Sequence, residues 1–307
     1  MTAKFKVAVV QCAAVQFDLD RTLELCEALA AEASGQGARL AVFPEAFIGG
    51  YPKGMDFGAR VGSRSESGRD DFARYHAAAI DVPGPATERL GEIAARFNMV
   101  IVVGVIEREG GTLYCTALYI GADGRLLGKH RKLMPTAMER LIWGFGDGST
   151  TKVMDTEVGR VGAVICWENY MPLLRYSQYQ QGVEFYCAPT VDDRDAWVPT
   201  MRHIAYEGRC FVLSACQYAR RSDYPEDYDC IQGNDPETVL IRGGSMIVDP
   251  LGEVLAGPLY NEQGVLVAEL DKRQIVRGKY DLDVVGHYAR DDVFDFGVKG
   301  LSEEPKV

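Results

Sequence analysis

The sequence has little positive charge and no long hydrophobic run. Its 307 residues contain 33 lysines and arginines against 44 aspartates and glutamates, which gives a formal net charge of −11. Nucleic acids and anionic membranes are bound through basic patches, so this balance argues against both as partners. No segment approaches the roughly 20 apolar residues that are needed to span a bilayer. The apolar run at residues 7–10 is too short for a signal peptide, and we expect it to form a first strand.

Two common site motifs are also missing. None of the eight cysteines forms a C-x-x-C motif, so zinc-ribbon and thioredoxin-type sites have no support. Cys115, Cys187 and Cys210 lie in apolar, strand-like runs, where we expect free buried thiols. Free thiols in a chain of this size indicate a reducing compartment, and we expect a cytoplasmic protein. Gly144-x-Gly146 lacks the third glycine of a dinucleotide-binding fingerprint, which argues against an oxidoreductase.

Strand-like and helix-like segments alternate through most of the chain. Hydrophobic residues make up 47% of the sequence and charged residues 25%, as in an ordinary globular domain. Several strands are apolar throughout, which predicts that both of their faces are covered. Residues 99–107 and 113–120 predict a hairpin within this alternation. We therefore expect one α/β domain with a mixed sheet or two stacked sheets, and a polar surface excursion over residues 218–242.

A cysteine stands where one predicted strand ends. Residues 160–166 are predicted to form a strand whose apolar run stops at Cys166, and a helix is predicted over residues 172–181, with Pro172 in its first turn. The partial positive charge of a helix N-terminus favours thiolate over thiol, so this is a good position for a nucleophile. The alternative is that Cys166 is a small buried hydrophobic residue, and this stretch alone does not separate the two.

Two further reactive groups lie at strand ends. Glu45 follows the predicted strand at residues 40–43, and Lys132 lies in a basic loop at residues 128–136, after the strand at residues 113–120. In α/β folds, ligand sites gather at strand ends and in the loops beyond them. A carboxylate can take the proton of a thiol, and an ammonium can stabilise the anion that forms. We therefore expect Glu45, Lys132 and Cys166 to meet in one site.

Three long motifs surround these residues. They are AVFPEAFIGGYPKG (41–54), GKHRKLMPTAMERLIWGFGDG (128–148) and GAVICWENYMPLLR (162–175). The motifs closely resemble the three motif regions of the nitrilase superfamily, and its nitrilase branch in particular. The similarity continues through residues 188–214, 243–260 and 283–294 and so covers nearly the whole chain. Three separated and consistent motifs favour the catalytic interpretation of Cys166.

The resemblance implies a fold, a reaction and a set of roles. The implied fold is a four-layer αββα sandwich with two stacked mixed β-sheets, as a single carbon-nitrogen hydrolase domain over residues 1–282 with a C-terminal tail at 283–307. The implied roles are general base for Glu45, cation for Lys132, nucleophile for Cys166 and assisting carboxylate for Glu139. A small-molecule nitrile is hydrolysed to a carboxylic acid and ammonia through a thioimidate and a thioester. No metal or cofactor is implied, and the chain is expected to form a homodimer or a higher homo-oligomer.

The substrate contacts and the reaction class leave alternatives. Tyr51, Trp167, Thr190 and Trp197 are candidate pocket walls, although aromatic residues at such positions are as often core residues. Amidases and carbamoylases share the Glu-Lys-Cys set, and a cyanide dihydratase or hydratase is a further neighbour. A non-catalytic assembly protein is disfavoured because Glu45, Lys132 and Cys166 are all present.

Overall fold

The computed structural model describes residues 4–301, which form two stacked β-sheets with helices on both outer faces. The strands β1–β15 are, in chain order, Lys4–Gln11, Ala38–Val42, Ala59–Arg60, Ser63–Arg64, Val100–Glu109, Thr112–Ile120, Leu126–Arg131, Met154–Thr156, Gly159–Ala163, Phe185–Thr190, Phe211–Cys216, Tyr218–Arg220, Val239–Val248, Val254–Tyr260 and Gly264–Asp271. The helices α1–α6 are Leu19–Gly35, Glu66–Ala78, Pro85–Phe97, Pro172–Gln180, Trp197–Gly208 and Arg273–Gly278.

Both large sheets are mixed. The first has the strand order β15-β1-β2-β5-β6-β7, in which β1, β2 and β5 are parallel and the others antiparallel. The second has the order β12-β13-β11-β10-β9-β8, with β14 paired to β13, and its parallel strands are β9, β10 and β11. Strands β5 and β6 form the predicted hairpin. The prediction of two stacked mixed sheets is confirmed.

The apolar strands are covered on both faces because successive side chains point to opposite sides. In β1, Val7 and Val9 join the cluster between the two sheets, whereas Ala8 and Val10 pack under α1 and α3. A third cluster fills the space between the second sheet and helices α4 and α5. The result is the four-layer αββα sandwich expected from the sequence.

A buried glutamine ties the two sheets together. Gln11, at the end of β1, donates two hydrogen bonds of 2.9 Å to the carbonyl groups of Leu259 and Glu262. Its side-chain oxygen accepts 2.9 Å hydrogen bonds from the amides of Gly244 and Ser245. All polar atoms of this side chain are therefore satisfied, and the first sheet is fixed against β13 and β14 of the second.

The basic segment predicted as a loop begins as an edge strand. Residues 126–131 form β7 and pair with β6, so only the residues from Lys132 onward leave the sheet. The prediction of a loop is wrong here because Lys129 and Arg131 alternate along the strand and share one partner. Lys129 and Arg131 both reach the buried carboxylate of Glu107 on β5, at 2.5 and 2.6 Å. A run of basic residues is compatible with a strand when one buried acid balances it.

The segment at residues 218–242 is not a surface excursion throughout. Arg221, Tyr224 and Tyr228 are buried. The hydroxyl of Tyr224 donates to the carbonyl of Tyr51, at 3.0 Å, and that of Tyr228 donates to the carbonyl of Lys53, at 2.7 Å. The polar side chains of this segment therefore bond to backbone groups, and they hold the loop at residues 51–53 in place.

The C-terminal tail packs against helix α4. Residues 283–301 contain turns and irregular chain, and Phe296 packs edge-on against Tyr176 of α4 with ring centroids 5.0 Å apart. The domain boundary at residue 282 stays a prediction.

All eight cysteines have free, buried thiols. Between Lys4 and Leu301, no helix combines the length and the hydrophobicity needed to cross a membrane.

Candidate active site

Glu45 is held at the centre of the molecule by the loop that follows β2. The amide of Gly104, on β5, donates to the carbonyl of Pro44 at 3.2 Å, and the carbonyl of Gly104 accepts from Ile48 at 3.0 Å. A Cβ atom on Gly104 would lie 2.3 Å from the Pro44 oxygen, so only glycine allows the loop to come this close. Ala46 adopts a left-handed conformation with φ of 50°, which turns the chain directly after Glu45. The carboxylate of Glu45 is completely buried.

Lys132 joins two carboxylates. It follows β7 directly, and its backbone amide donates to the carbonyl of Cys115 at 2.8 Å. Its Nζ donates to Oε1 of Glu45 at 2.7 Å and to Oε2 of Glu139 at 2.8 Å. Glu139 lies on a short 3₁₀ helix, Ala137–Leu141, and the same Oε2 accepts from the amide of Thr136 at 2.7 Å. Three of the four predicted catalytic residues are thus in direct contact.

Cys166 begins a 3₁₀ helix rather than ending a strand. Strand β9 ends at Ala163, and Cys166 has a left-handed backbone with φ of 51°. Such a conformation is strained for a residue with a side chain, and local hydrogen bonds hold it. The side chain of Asn169 donates to the carbonyl of Val164 at 2.9 Å and to that of Cys166 at 2.8 Å.

The expectation that a helix N-terminus ionises Cys166 is corrected by the structure. Helix α4 begins at Pro172, and the short 3₁₀ helix Cys166–Tyr170 lies between Cys166 and α4. Burial raises the pKa of the Cys166 thiol, and the negative charge of Glu45 raises it further, while the charge of Lys132 acts in the opposite direction. Burial and the charge of Glu45 therefore favour the neutral thiol over the thiolate.

The pKa values of Glu45 and Lys132 depend on each other. Burial raises the pKa of Glu45 above its ordinary value, against the lowering effect of the Lys132 charge and of contacts with the Lys132 and Cys166 side chains. Burial disfavours the charged form of Lys132, but the charge of Glu45 outweighs this and raises the pKa of Lys132. The 2.7 Å contact between Lys132 and Glu45 is that of an ammonium with a carboxylate, and burial increases the affinity of this carboxylate for a proton.

Glu45 also has one oxygen bound and one available. Oε1 accepts from Lys132 and, at 3.5 Å, from the thiol of Cys115. Oε2 is buried and accepts no hydrogen bond from residues 4–301. A buried acceptor without a partner is costly, so this oxygen is placed to receive a proton. Cys115 is a member of the site that sequence reasoning misses, because nothing in an apolar strand marks one cysteine as facing a carboxylate.

Two of the predicted pocket residues contact the cluster that is formed by Glu45, Lys132, Glu139 and Cys166. The hydroxyl of Tyr51 donates to Oε1 of Glu139 at 2.9 Å, and burial raises the pKa of Tyr51, so it remains a donor. Thr190, at the end of β10, accepts a 2.8 Å hydrogen bond from the amide of Asp192. Its hydroxyl also contacts Cys166 and lowers the pKa of that thiol.

The two tryptophans that are predicted to line the pocket have different environments. Trp167 is 41% exposed, its indole donates to Asp192 at 2.9 Å, and the guanidinium of Arg194 lies 4.5 Å above its ring. Trp197 is 1% exposed and donates to the hydroxyl of Ser214 at 2.9 Å within the cluster beneath α4 and α5. These are the contacts of a core residue, and they favour the alternative that Trp197 belongs to the core rather than to the pocket wall.

The arrangement offers acid–base and nucleophilic chemistry. A thiol, two carboxylates and an ammonium converge, and the N–H groups at the start of the 3₁₀ helix have no partner within that helix. Among residues 4–301, no group of three or more His, Cys, Asp or Glu side chains is arranged to hold a metal ion.

The chain is similar to known proteins over almost its full length. The family described as carbon-nitrogen hydrolase matches residues 6–280. An aliphatic nitrilase of Sinorhizobium fredii (strain HH103) is 58% identical over 99% of this chain and 97% of its own length. A bifunctional nitrilase/nitrile hydratase, NIT4A, of Lupinus angustifolius is 53% identical over 98% of this chain and 87% of its own.

A solved structure supports the fold independently. Nit3 of Saccharomyces cerevisiae, described as a member of branch 10 of the nitrilase superfamily, superposes with a TM-score of 0.71 at 22% identity. The match covers 93% of this chain and 96% of that one. At this identity the structural similarity shows a common fold alone, whereas the family match and the two relatives show which family the chain belongs to. The chain therefore belongs to the carbon-nitrogen hydrolase family, and its relatives at 58% and 53% identity are named nitrilases.

Proposed function

We propose that the protein is a nitrilase that hydrolyses a small organic nitrile to the carboxylic acid and ammonia, with Cys166 as nucleophile. The observation that carries the proposal is the contact of one buried ammonium with two carboxylates, at 2.7 and 2.8 Å, beside a buried thiol. The names of the relatives at 58% and 53% identity support the nitrile as the substrate.

The first step forms a bond between sulfur and carbon. The Cys166 sulfur attacks the nitrile carbon while its proton passes to Oε2 of Glu45, the oxygen that otherwise accepts no hydrogen bond. One C–N π bond breaks, and its electron pair moves to nitrogen. The nitrogen takes the proton from Glu45, which gives a neutral thioimidate and restores the Glu45 carboxylate.

The second step releases ammonia. Water adds to the thioimidate carbon with Glu45 as general base, and Glu139 orients Lys132 through their 2.8 Å contact. Charge that develops on the tetrahedral intermediate is stabilised by the Lys132 ammonium and by the backbone N–H of Trp167. Glu45 passes the first water proton to the nitrogen, which becomes an amino group, and then takes the hydroxyl proton and passes it to the same nitrogen. The C–N bond breaks, ammonia leaves, and the hydroxyl oxygen becomes the carbonyl oxygen of a Cys166 thioester.

A second water completes the cycle. It attacks the thioester carbonyl with Glu45 as base, the C–S bond breaks, and Cys166 recovers its proton from Glu45. One nitrile and two water molecules become one carboxylic acid and one ammonia, so Glu45 carries each proton and is unchanged at the end.

A second product is favoured by a specific observation. The lupin relative is named a bifunctional nitrilase/nitrile hydratase. The tetrahedral intermediate carries both an amino group and the Cys166 sulfur, so loss of sulfur instead of ammonia gives the amide. We therefore include the amide as a minor product of the same site.

The pocket is proposed to contact substrate through three residues. Trp167 presents a half-exposed indole beside the nucleophile, Thr190 lies against the Cys166 side chain, and Tyr51 faces the Glu139 carboxylate. A flat apolar wall beside the thiol suits a linear, weakly polar group such as a nitrile.

One assay separates the proposal from its alternatives. Ammonia release is measured on matched panels of nitriles, their amides, carbamoyl compounds and cyanide, and acid and amide are quantified by mass spectrometry. We expect acid from nitriles with little turnover of the amides. Turnover of amides alone would indicate an amidase, and no turnover of any substrate would indicate a non-catalytic protein. Cys166→Ala is expected to abolish turnover, whereas Cys187→Ala, in the core of β10, is expected to retain it.

The assembly and the location belong to the same proposal. Leu173 on α4 and Tyr206 on α5 are exposed apolar side chains on an outer helical layer, which supports a homodimer or a higher homo-oligomer. A solution mass equal to a single chain would contradict this. Eight free thiols support a reducing, cytoplasmic location.

A further inference from the structure

Glu168 is a buried carboxylate that the proposed mechanism does not use. Its Oε1 accepts a 2.6 Å hydrogen bond from the amide of Leu133. Its Oε2 accepts from the amide of Ile165 at 2.9 Å and from Nε2 of His130 at 3.0 Å. The residue is 1% exposed, so no solvent competes for these bonds. Both oxygens are engaged by protein donors, which argues against a role in proton transfer to substrate.

The partners of Glu168 flank the two halves of the site. Ile165 directly precedes Cys166, and Leu133 directly follows Lys132. These segments belong to different sheets, because Cys166 follows β9 of the second sheet and Lys132 follows β7 of the first. One carboxylate therefore bridges the backbone beside the nucleophile and the backbone beside the ammonium.

His130 makes this bridge rigid. Its Nδ1 lies 3.2 Å from the carbonyl of Thr150, and its Nε2 bonds to Glu168. The Thr150 carbonyl and the Glu168 carboxylate are both acceptors, and a neutral imidazole can donate from only one nitrogen, so an imidazolium satisfies both contacts. Although burial acts in the opposite direction, the charge of Glu168 raises the pKa of His130. A buried carboxylate with a cationic partner and two backbone donors has its charge compensated and its orientation fixed.

We propose that Glu168, held by His130, is a positioning residue that sets the distance between Cys166 and the Lys132–Glu45 pair. The inference rests on the proposed function, because it assigns Glu168 a role in bringing those groups together. The sulfur must reach the nitrile carbon while its proton reaches Glu45, and both conditions depend on how the loop after β9 sits against the end of β7.

The principal test compares two buried glutamates. Glu168→Gln keeps the size of the side chain but points an amide toward N–H donors, so the bridge loses at least one hydrogen bond. We expect kcat to fall about 100-fold, the loss associated with a displacement of about 1 Å at a reacting centre, with KM unchanged. Glu107→Gln is the matched control. Glu107 is as buried as Glu168 and bonds to Lys129 and Arg131 of β7, the strand that precedes Lys132. It has no hydrogen bond to the loop that contains Cys166.

A second readout does not depend on nitrile turnover. The rate at which iodoacetamide alkylates Cys166 is measured by mass spectrometry of the tryptic peptide in wild type and in both variants. We expect slower alkylation in Glu168→Gln, because the thiol is displaced from the base that receives its proton, and a wild-type rate in Glu107→Gln. His130→Gln retains a donor toward Glu168 and is expected to fall between wild type and Glu168→Gln in both measurements.

The outcomes separate the inference from the proposed function. A folded Glu168→Gln with wild-type kcat and alkylation overturns the inference, and so does an equal loss in Glu107→Gln. If Glu168→Gln does not fold, His130→Gln decides: reduced kcat at unchanged KM supports the inference, and wild-type values overturn it. A wild-type enzyme that releases no ammonia from any nitrile overturns the proposed function, while the alkylation rates still test the positioning role.

Discussion

The sharpest test of how the fold positions Glu45 is the substitution Gly104→Ala. The added Cβ would lie 2.3 Å from the oxygen of Pro44, 2.7 Å from the amide nitrogen of Ala46 and 2.7 Å from Cα of Glu45. All three are backbone atoms, so no side-chain rotation relieves the contact. Ordinary contact begins near 3.4 Å, and the Pro44 oxygen must therefore move by about 1 Å.

This displacement has two measurable consequences. Overpacking of this kind costs about 1–3 kcal/mol, and the hydrogen bond between Gly104 and the Pro44 carbonyl weakens with it. We therefore expect the free energy of unfolding, measured by urea titration, to fall by that amount. Because Glu45 moves with its loop, kcat for ammonia release is expected to fall about 100-fold, as it does when a catalytic group is displaced by about 1 Å.

Gly111→Ala is the matched control. Gly111 lies in the turn of the same β5–β6 hairpin, and a Cβ there has no neighbouring atom within 4 Å. We expect its free energy of unfolding to stay within about 0.5 kcal/mol of wild type, with unchanged kcat. Wild-type stability and wild-type kcat in Gly104→Ala would refute the argument that the close approach of this loop to β5 sets the position of Glu45.

Three further outcomes follow from the contacts of the site. Tyr51→Phe removes the hydrogen bond to Glu139, and because a hydrogen bond to a charged group contributes about 1.5–3 kcal/mol, we expect kcat to fall roughly 10- to 100-fold; unchanged kcat would contradict this. Since burial raises the pKa of Glu45 above 4.5 and only its ionised form accepts the thiol proton, kcat/KM should decline on acidification with a midpoint above pH 4.5, and a midpoint at or below that value would argue against Glu45 as the base. Trp197→Phe loses the bond to Ser214 and should lower the free energy of unfolding by about 1–3 kcal/mol without changing KM, whereas a raised KM would return Trp197 to the pocket.

The layered fold and the approximate place of the site could be predicted from the sequence. Strands that are apolar on both faces must be packed against other elements on both sides. In β1, Val7 and Val9 pack into the cluster between the sheets, whereas Ala8 and Val10 pack into the cluster under the helices. Glu45 could be located because a carboxylate among Phe43, Pro44 and Phe47 is poorly placed for solvent. These inferences depend on neighbours in the chain, which a sequence displays directly.

The rest depends on neighbours in space. The basic residues before Lys132 were predicted as a loop because their partner, Glu107, lies on a different strand. Glu168 accepts a hydrogen bond from Leu133, 35 positions away in the chain, and no local pattern indicates which backbone amides it meets. The ionisation of Cys166 was misjudged for the same reason, since helix position is visible in the chain but burial is not.

The neutral thiol is consistent with catalysis once the charge of the whole cluster is counted. Glu45, Glu139 and the Lys132 ammonium together carry a net charge of −1, and a free Cys166 thiolate would bring this to −2 in a buried site. Transfer of the thiol proton to Glu45 leaves the net charge at −1, since one carboxylate is neutralised as the sulfur becomes anionic. When the C–S bond forms, the negative charge moves to the nitrile nitrogen and is cancelled there by the same proton. The net charge of the cluster therefore stays at −1 during attack, which explains how a buried site with a raised thiol pKa can use cysteine as a nucleophile.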